Sequence, residues 1–331
     1  MKALLCHAWG VADDLKVEEA PTPSPGPGQV LIEVGATAVN YADSIMLAGH
    51  YQTKPPFPFS PGMETAGTVA ACGDGVADLV PGNRVMSILP YGGMAEQTLA
   101  EASDTFRIPE SMPITDAGAF PGAYLSSHVA VRWAGRLEAG ESLLVLGAAG
   151  GVGLAAVEIG KALGARVIAA ASTAEKLAAA EAHGADDLIN YGDGDLKEQV
   201  LALTGGAGVD MAYDPVGGDL FHAALSSLAW GGRIVVVGFV GGIPQIPANR
   251  LVVKHRAVMG SCLPYYQRRA LDKFRRSGQE LLDWYAAGHI RPLISQCLPL
   301  ARGGEGINLL TERRAHGRIL ILPNGADDLD G

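Results

Sequence analysis

A short glycine-rich segment between a buried strand and a helix constrains this chain more than any other feature. Ser142–Leu146 (SLLVL) predicts a buried strand, and Gly151–Leu163 predicts an amphipathic helix. Between them, Gly147-Ala-Ala-Gly-Gly-Val-Gly153 brings backbone N–H groups and the positive end of a helix dipole to one point. Such a turn serves the fold alone or binds a pyrophosphate, and its place between strand and helix favours a dinucleotide. The match to G-x-G-x-x-G is imperfect, because Ala148 replaces one glycine, and the segment lacks the lysine of a Walker-type loop.

The same alternation of strand and helix continues on both sides of this turn. Strands and helices of this length predict βαβ units and a doubly wound parallel sheet over residues 121–262. The further strands are predicted at Arg166–Ala171, Asp187–Tyr191, Val209–Asp214, Arg233–Gly238 and Val258–Leu263, with helices at Thr173–His183, Asp195–Leu203 and Asp219–Leu228.

Residues 1–120 show a different pattern, with short alternating segments separated by turns. Gln29–Val34, Thr65–Cys72 and Asn83–Ile88 predict strands at a spacing typical of a small barrel or sandwich. After residue 262 we predict a helix near 268–287, a strand at Arg318–Leu322 and a frayed acidic tail from Pro323.

Charge and cysteine content exclude several classes of protein. The 331-residue chain has a net charge of −10, and a duplex-binding protein needs a basic footprint, so we expect no nucleic-acid partner. The four cysteines are far apart and form no CxxC pair, which is typical of free thiols in a reducing compartment. The longest uncharged apolar stretch, Leu143–Val157, is too short for a membrane span, and no targeting segment is visible. We therefore expect a cytoplasmic protein without a membrane partner.

The end of the second predicted strand indicates which dinucleotide would bind. NAD sites usually carry an acidic residue about twenty positions after the glycines. Here the segment is Ala171-Ser172-Thr173, and the Ser172 hydroxyl with the Lys176 ammonium suits the 2′-phosphate of NADPH. Alternatively, Ser172 is only a helix N-cap with Glu175 at the N3 position and Lys176 a solvated residue. The two interpretations are compatible, because an anion is stabilised at a capped helix start. NADPH is favoured.

Motifs along nearly the whole chain resemble the medium-chain dehydrogenase/reductase superfamily, and within it the zinc-free quinone oxidoreductase (zeta-crystallin-like) family. The likeness covers roughly residues 1–322. The matching segments include VN…D from Val39, GHY from Gly49, PGME…G from Pro61, PGNRV from Pro81, GGMAE from Gly92, AAGGVG from Ala148, GAD…NY from Gly184, TGGAGVD from Thr204, YD…GG from Tyr213 and Gly317-Arg318. The resemblance implies an α/β protein in which a GroES-like, β-rich catalytic domain (1–120 and 263–331) and a Rossmann domain (121–262) enclose a cleft. Members of this family are often dimers, so the resemblance also implies a homodimer. The edge strand Val258–Leu263 is the candidate contact between the two copies.

The resemblance also implies roles by position. For the cofactor, these are the 2′-phosphate residues Ser172, Lys176 and Tyr191, the pyrophosphate turn Gly150, Gly151, Val152 and Gly153, the nicotinamide-side residues Gly238, Phe239, Ser261, Cys262 and Leu263, and the cofactor-contacting Arg313. On the substrate side, the matching residues are Asn40, Asp43 and Tyr51.

Two departures distinguish this chain from the zinc-dependent alcohol dehydrogenases of the superfamily. Asn40 stands where their first zinc cysteine falls, and Met63 stands where they have the histidine that precedes Glu64. A catalytic zinc needs three protein ligands, so we expect no metal. Many quinone reductases also carry a tyrosine at the position of Ile45, which leaves the substrate pocket the least defined part.

The function that these patterns favour is transfer of hydride from NADPH to a quinone. The acceptor's carbonyl oxygen gains negative charge, which the Asn40 amide or the Tyr51 hydroxyl could stabilise, and Tyr51 or a water could supply the proton. As alternatives to these roles, Asn40 caps a turn and Tyr51 is a half-buried packing residue. Two other functions stay open: reduction of an enone or enoyl thioester, and an NADPH-binding sensor or RNA-binding protein with little turnover.

Overall fold

The computed structural model describes residues 1–312 and 314–325, which form two compact units. One unit contains Met1–Gly122 and the chain from Pro292 onward, and the other contains Ala123–Arg291. The sequence analysis places the second boundary at residue 263, whereas the structure places it at Pro292. The reason is packing: Ser277 in this segment hydrogen-bonds to His128 and Trp133 of the second unit.

The strands of the described residues, numbered in chain order, account for both sheets and for a separate antiparallel pair. They are β1 Lys2–Leu5, β2 Lys16–Glu19, β3 Gln29–Ala38, β4 Glu64–Cys72, β5 Arg84–Ile88, β6 Gln97–Glu101, β7 Thr105–Arg107, β8 Ser142–Leu146, β9 Arg166–Ala171, β10 Asp187–Asn190, β11 Val209–Asp214, β12 Leu228–Val236, β13 Ala257–Gly260, β14 Ile294–Pro299 and β15 Arg318–Leu322.

The α-helices lie mainly in the second unit. They are α1 Tyr41–Leu47, α2 Ile114–Ala119, α3 Ser126–His128, α4 Gly151–Ala162, α5 Ala174–Ala182, α6 Leu196–Leu203, α7 Gly218–Ser227, α8 Ala248–Val253, α9 Leu263–Arg269, α10 Leu271–Ala286 and α11 Gly303–Thr311. The short α3 lies between two π-helical turns, Pro121–Leu125 and Val129–Ala134, so that residues 121–134 are helical throughout, which the sequence analysis does not predict.

The second unit contains the predicted doubly wound parallel sheet. Its six strands lie in the order β10-β9-β8-β11-β12-β13, and all the pairings are parallel. The strand order reverses between β8 and β11, which in such folds is the point where ligands bind beyond the carboxyl ends of the strands. Strand β8 is apolar and buried from Leu143 to Leu146, because helices cover both faces of a parallel sheet.

The first unit is built on a seven-stranded sheet. Its strands lie in the order β14-β15-β3-β4-β5-β7, with β6 paired to β3, while β1 and β2 form a separate antiparallel pair. Strand β3 runs for ten residues, four beyond its predicted end at Val34, because its later part pairs with β15 at Thr37 and Ala38. The end of β3 thereby leads directly into α1, at whose start Asn40 and Asp43 lie.

Candidate functional site

The glycine turn joins the carboxyl end of β8 to the start of α4. Gly147 has a φ of +58°, and Gly150 is the N-cap of α4, with an extended backbone (φ −77°, ψ 164°). The first N–H groups of a helix have no acceptor within the helix, so those of Gly151, Val152 and Gly153 face the space beyond the strand end. This arrangement can hold the pyrophosphate of a dinucleotide.

Two glycines of this turn differ in the space that neighbouring atoms leave for a side chain. A Cβ on Gly153 would lie 2.2 Å from the Gly147 carbonyl oxygen and 2.9 Å from the Ala148 Cα, so close packing of helix on strand requires glycine there. A Cβ on the exposed Gly150 would lie 3.5 Å from the same oxygen, an ordinary contact. The neighbouring residues therefore leave room for a side chain at Gly150, and packing within the chain does not require glycine there.

Ser172, Lys176 and Tyr191 lie together at the carboxyl ends of β9 and β10. Ser172 directly follows β9, and the backbone N–H of Tyr191 donates to the Ala171 carbonyl, 3.1 Å away. The N-cap of α5 is Thr173, whose Oγ accepts from the Lys176 N–H at 3.3 Å, so the alternative in which Ser172 is the N-cap is wrong. The Ser172 hydroxyl is therefore not used as the helix cap.

The charges around this strand end suit an anion. Lys176 is half-buried on the first turn of α5 and forms no ion pair with any residue that the structure describes. The acidic residues after β10 are engaged locally, since Asp193 accepts from the Asn190 amide at 2.6 Å and Asp195 caps α6. The structure thus offers an ammonium where an NAD site would offer a carboxylate.

The residues assigned to the nicotinamide side follow the neighbouring strands β12 and β13. Gly238 and Phe239 lie just after β12, and the Phe239 side chain is 52% exposed. Ser261 follows β13, and its buried hydroxyl has no hydrogen-bond partner among the described residues. Cys262 is the exposed N-cap of α9, and Leu263 begins that helix. An unpaired buried hydroxyl at this edge fits a bound polar ligand. Arg313 lies outside the described residues.

Asp214, the last residue of β11, has no role in the sequence analysis. It is fully buried, and its Oδ1 accepts from the N–H groups of Val216 and Gly217, both at 2.8 Å. Its Oδ2 is buried without a partner among the described residues, and burial raises the pKa of this carboxyl. A Cβ on Gly147 would lie 3.1 Å from Val216, so the Asp214 turn packs against the glycine turn.

Glu158 is a second residue that sequence reasoning missed. This buried carboxylate on α4 accepts from the Tyr124 hydroxyl at 2.5 Å and the Arg291 N–H at 3.0 Å, and pairs with His183 Nδ1 at 2.8 Å. Because His183 is the C-cap of α5, Glu158 fixes α4 against the helix that carries Lys176. No local sequence signal marks it, since its partners are distant in the chain.

In the first unit, Asn40 belongs to a buried polar cluster with Glu64 and Arg318. Its Nδ2 donates to Glu64 Oε1 at 2.8 Å and to the Ala38 carbonyl at 3.3 Å, and its Oδ1 accepts from Arg318 at 3.2 Å. Glu64 is completely buried and pairs with Arg318, while its Oε2 accepts from the Gly122 N–H at 2.6 Å. Both amide hydrogens of Asn40 are therefore engaged within the protein.

Asp43 and Tyr51 have different surroundings. Asp43 is completely buried and accepts from the backbone N–H groups of Asn40 at 2.8 Å and Gly62 at 3.0 Å, which fixes the start of α1. Burial raises the pKa of Asp43 to about 6. Tyr51 is half-buried and packs against an apolar cluster that contains Met46 and Phe59. Of the three predicted substrate residues, Asn40 and Asp43 lie together at the start of α1, and Tyr51 packs against the apolar cluster.

Residues 1–312 and 314–325 contain neither a cluster of metal-ligating side chains nor a membrane-spanning helix. Within that part of the chain, no group of three His, Cys, Asp or Glu side chains could hold a metal ion. The same residues contain no helix long and apolar enough to cross a membrane.

Comparison with known proteins places these features in a family. Residues 26–110 match the model described as alcohol dehydrogenase GroES-like domain, and residues 151–280 match zinc-binding dehydrogenase. Quinone oxidoreductase-like protein 2 of Rattus norvegicus is 38% identical over 306 residues, 92% of this chain and 87% of that protein. Human quinone oxidoreductase is 30% identical over 97% of this chain and 98% of its own. Escherichia coli quinone oxidoreductase, solved as a complex with NADPH, has a TM-score of 0.91 at 28% identity, with 98% of this chain and 100% of that chain covered.

This chain belongs to the zinc-free quinone oxidoreductase-like family of medium-chain dehydrogenases/reductases. The resemblance predicted from the sequence is confirmed, and so is the combination of a GroES-like sheet with a Rossmann domain. The oxidoreductase class follows from membership of this quinone oxidoreductase-like family.

We predict that alanine at the two glycines separates binding from folding. In G150A the unfolding free energy changes by at most about 1 kcal/mol, while affinity for the expected dinucleotide falls about tenfold or more, because the methyl group lies where the pyrophosphate approaches. In G153A the unfolding free energy itself falls by about 2 kcal/mol or more, because the methyl group meets a backbone oxygen. Urea denaturation and cofactor titration measure both, and full affinity in G150A would contradict the assignment.

The buried Asp43 predicts a pH dependence of stability. Its pKa is about 6 in the fold against 3.8 for an unperturbed aspartate, so between these pH values the folded protein holds a proton that the unfolded chain has released. The unfolding free energy should fall as pH rises from about 4 to 6, by on the order of 3 kcal/mol for this group. D43N cannot titrate there, so the difference in stability between wild type and D43N should narrow over that range. Parallel stability curves would contradict the prediction.

Proposed function

We propose that this protein is an NADPH-dependent quinone reductase. The observation that carries the proposal is the Lys176 ammonium beside Ser172 at the end of β9, where an acidic residue would favour NAD. The glycine turn supplies an anion site at the neighbouring strand, and the related Escherichia coli enzyme was solved with NADPH. The geometry of the chain and the relatives therefore support the same cofactor.

The residues of the second unit would bind and orient this cofactor. The N–H groups of Gly151, Val152 and Gly153 would hold the pyrophosphate, and Ser172, Lys176 and Tyr191 would hold the 2′-phosphate. Ser261 would donate its unpaired hydroxyl on the nicotinamide side, where Gly238, Phe239, Cys262 and Leu263 also lie. When bound, NADPH supplies the hydride for the reduction.

On the substrate side, Tyr51 is the proposed hydrogen-bond and proton donor to the quinone oxygen. The Asn40 amide is the second candidate, and it would turn to a substrate by giving up one of its bonds within the protein. The bond to the Ala38 carbonyl, at 3.3 Å, is longer than the bond to Glu64 at 2.8 Å and would be given up first. Asp43 acts by fixing the start of α1 and does not touch the substrate.

We further propose a homodimer that uses the outer edge of β13. This edge strand is only half-buried at Val258 and Met259, and nearby exposed apolar side chains include Ile243, Val252 and Val253 at 70% exposure or more. Unpaired strand edges with apolar neighbours favour pairing with another chain.

A cytoplasmic location is also part of the proposal. All four cysteines are free, and Cys262 and Cys297 are exposed, which a reducing compartment preserves.

The cofactor assignment is tested by NADPH oxidation followed by absorbance, with 1,4-benzoquinone and a simple enone as acceptors. K176Q should raise the KM for NADPH about ten- to hundredfold, the worth of one charge-assisted contact, and leave the KM for NADH unchanged. K197Q, at an exposed lysine on the first turn of α6, is the control and should change neither. Equal use of NADH and NADPH by the wild type would contradict the assignment, and turnover of the enone alone would identify an alkene reductase.

Tyr51→Phe tests the proton donor. Loss of one donor to a developing negative charge should lower kcat with benzoquinone on the order of ten- to hundredfold, without changing the KM for NADPH. Tyr41→Phe, at an exposed tyrosine on α1, is the matched control. An unchanged kcat in Tyr51→Phe would remove this residue from the reaction.

The dimer is tested by sedimentation at micromolar concentration. The wild type should sediment as a dimer, and the double variant V252K/V253K as a monomer, because two buried charges would replace apolar contacts. A wild type that is monomeric under these conditions would contradict the proposal.

A further inference from the structure

A cluster of cations surrounds one indole ring in the second unit. The Trp133 ring centre lies 5.6 Å from the Arg132 guanidinium carbon, 5.3 Å from Lys273 Nζ and 5.4 Å from the Arg276 guanidinium carbon. With Arg269, which precedes α10, these residues are called the basic cluster: Arg132, Arg269, Lys273 and Arg276.

The ring at the centre of the basic cluster is fixed in place. Trp133 Nε1 donates to Ser277 Oγ at 2.9 Å, and that hydroxyl donates to the Lys273 carbonyl at 2.8 Å. Ser277 is completely buried and also bonds to His128 Nδ1 at 3.0 Å. The indole is therefore a rigid platform that holds three flexible cations in one region.

The positive charge of the basic cluster is only partly balanced from within the chain. None of its four members lies within ion-pair distance of a carboxylate among the described residues. Two carboxylates lie nearby: Asp272, on the first turn of α10, and Glu280, which pairs with His128 at 3.1 Å and whose pKa is lowered by His128 and then by the charges of Arg132 and Arg276. Elsewhere in this acidic chain the cations Lys161, Arg166, Arg233 and Arg318 each pair with a carboxylate. Four unpaired cations close together repel one another, and a bound anion would remove that repulsion.

The basic cluster borders a surface cavity of about 420 Å³. Its lining consists of Arg269, Ala270, Leu271, Asp272, Lys273 and Arg276. The cavity lies at the start of the 16-residue helix α10, whose N-cap, Ala270, has no side-chain cap. The N–H of Lys273 donates to the Ala270 carbonyl at 2.9 Å, and no side chain caps the N–H groups before it, so this helix end adds a positive dipole end to the cavity.

We propose that the basic cluster is a binding site for a phosphate group of a ligand other than the cofactor. Two guanidinium groups can each donate two parallel hydrogen bonds to phosphate oxygens, while Lys273 acts as a point charge. The carboxylate of Asp272 also lines the cavity and repels a phosphate, so the attraction of Arg269, Lys273 and Arg276 must outweigh it. The phosphate belongs to a free phosphorylated metabolite or to a lipid headgroup.

The experiment is calorimetric titration with inorganic pyrophosphate on the full-length protein saturated with NADPH, so that the dinucleotide-phosphate residues are already engaged. Wild type should bind, and the double variant K273Q/R276Q should bind at least about tenfold more weakly, as expected for the loss of charge-assisted contacts. R275Q is the matched control, because Arg275 is exposed on the same helix but does not line the cavity, and its affinity should match that of wild type.

Sedimentation with phosphatidylcholine vesicles, with and without phosphatidic acid, identifies the source of the phosphate. Binding to pyrophosphate identifies a free phosphorylated ligand, and binding only to the phosphatidic acid vesicles identifies a headgroup, provided that K273Q/R276Q loses it. No binding of either probe by wild type, or equal binding by the double variant, would overturn the proposal. Failure of the NADPH assignment would show separately, as no heat of binding when NADPH itself is titrated into the wild type, while the difference between wild type and K273Q/R276Q in pyrophosphate binding would persist.

Discussion

The close approach of α4 to the end of β8 is the constraint on which the proposed cofactor site of this protein depends. Only a residue without a side chain can occupy position 153, where a Cβ would meet the Gly147 oxygen at 2.2 Å. With glycine there, the first turn of α4 starts directly beyond the strand and directs its open N–H groups to the switch point between β8 and β11. The segments after β11, β13 and β9 lie at the same edge, which places Asp214, Ser261 and Lys176 at the carboxyl ends of the strands.

Each unit also depends on one buried carboxylate that is satisfied by distant partners. Burying a carboxylate is costly unless both of its oxygens accept hydrogen bonds or ion pairs. In the first unit the Glu64 oxygens accept from Arg318, the Asn40 amide and the Gly122 N–H. In the second unit the Glu158 oxygens are likewise engaged by Tyr124, His183 and the Arg291 N–H. Both groups fix elements that carry candidate functional residues, α1 in one case and α4 in the other.

Local patterns were enough to predict much of the fold. Strand β8 and the glycine turn are short segments whose residue types determine their geometry, whereas the start of α5 was placed one residue early, since Thr173 and not Ser172 is its N-cap. Contacts between distant residues could not be predicted in this way. The boundary at Pro292 depends on Ser277 packing against Trp133 and His128, and the role of Glu158 depends on partners more than twenty residues away. The engagement of the Asn40 amide likewise depends on Arg318, far along the chain.

In the proposed function, this chain holds the nicotinamide ring of NADPH in one orientation and reduces a quinone with it. The most direct measurement is the rate of benzoquinone reduction, in the presence of a metal chelator, with NADPH deuterated at either one of the two C4 positions. The account predicts a slower rate for one of the two isotopomers and an unchanged rate for the other. Equal rates for both, or activity that the chelator abolishes and zinc restores, would contradict it.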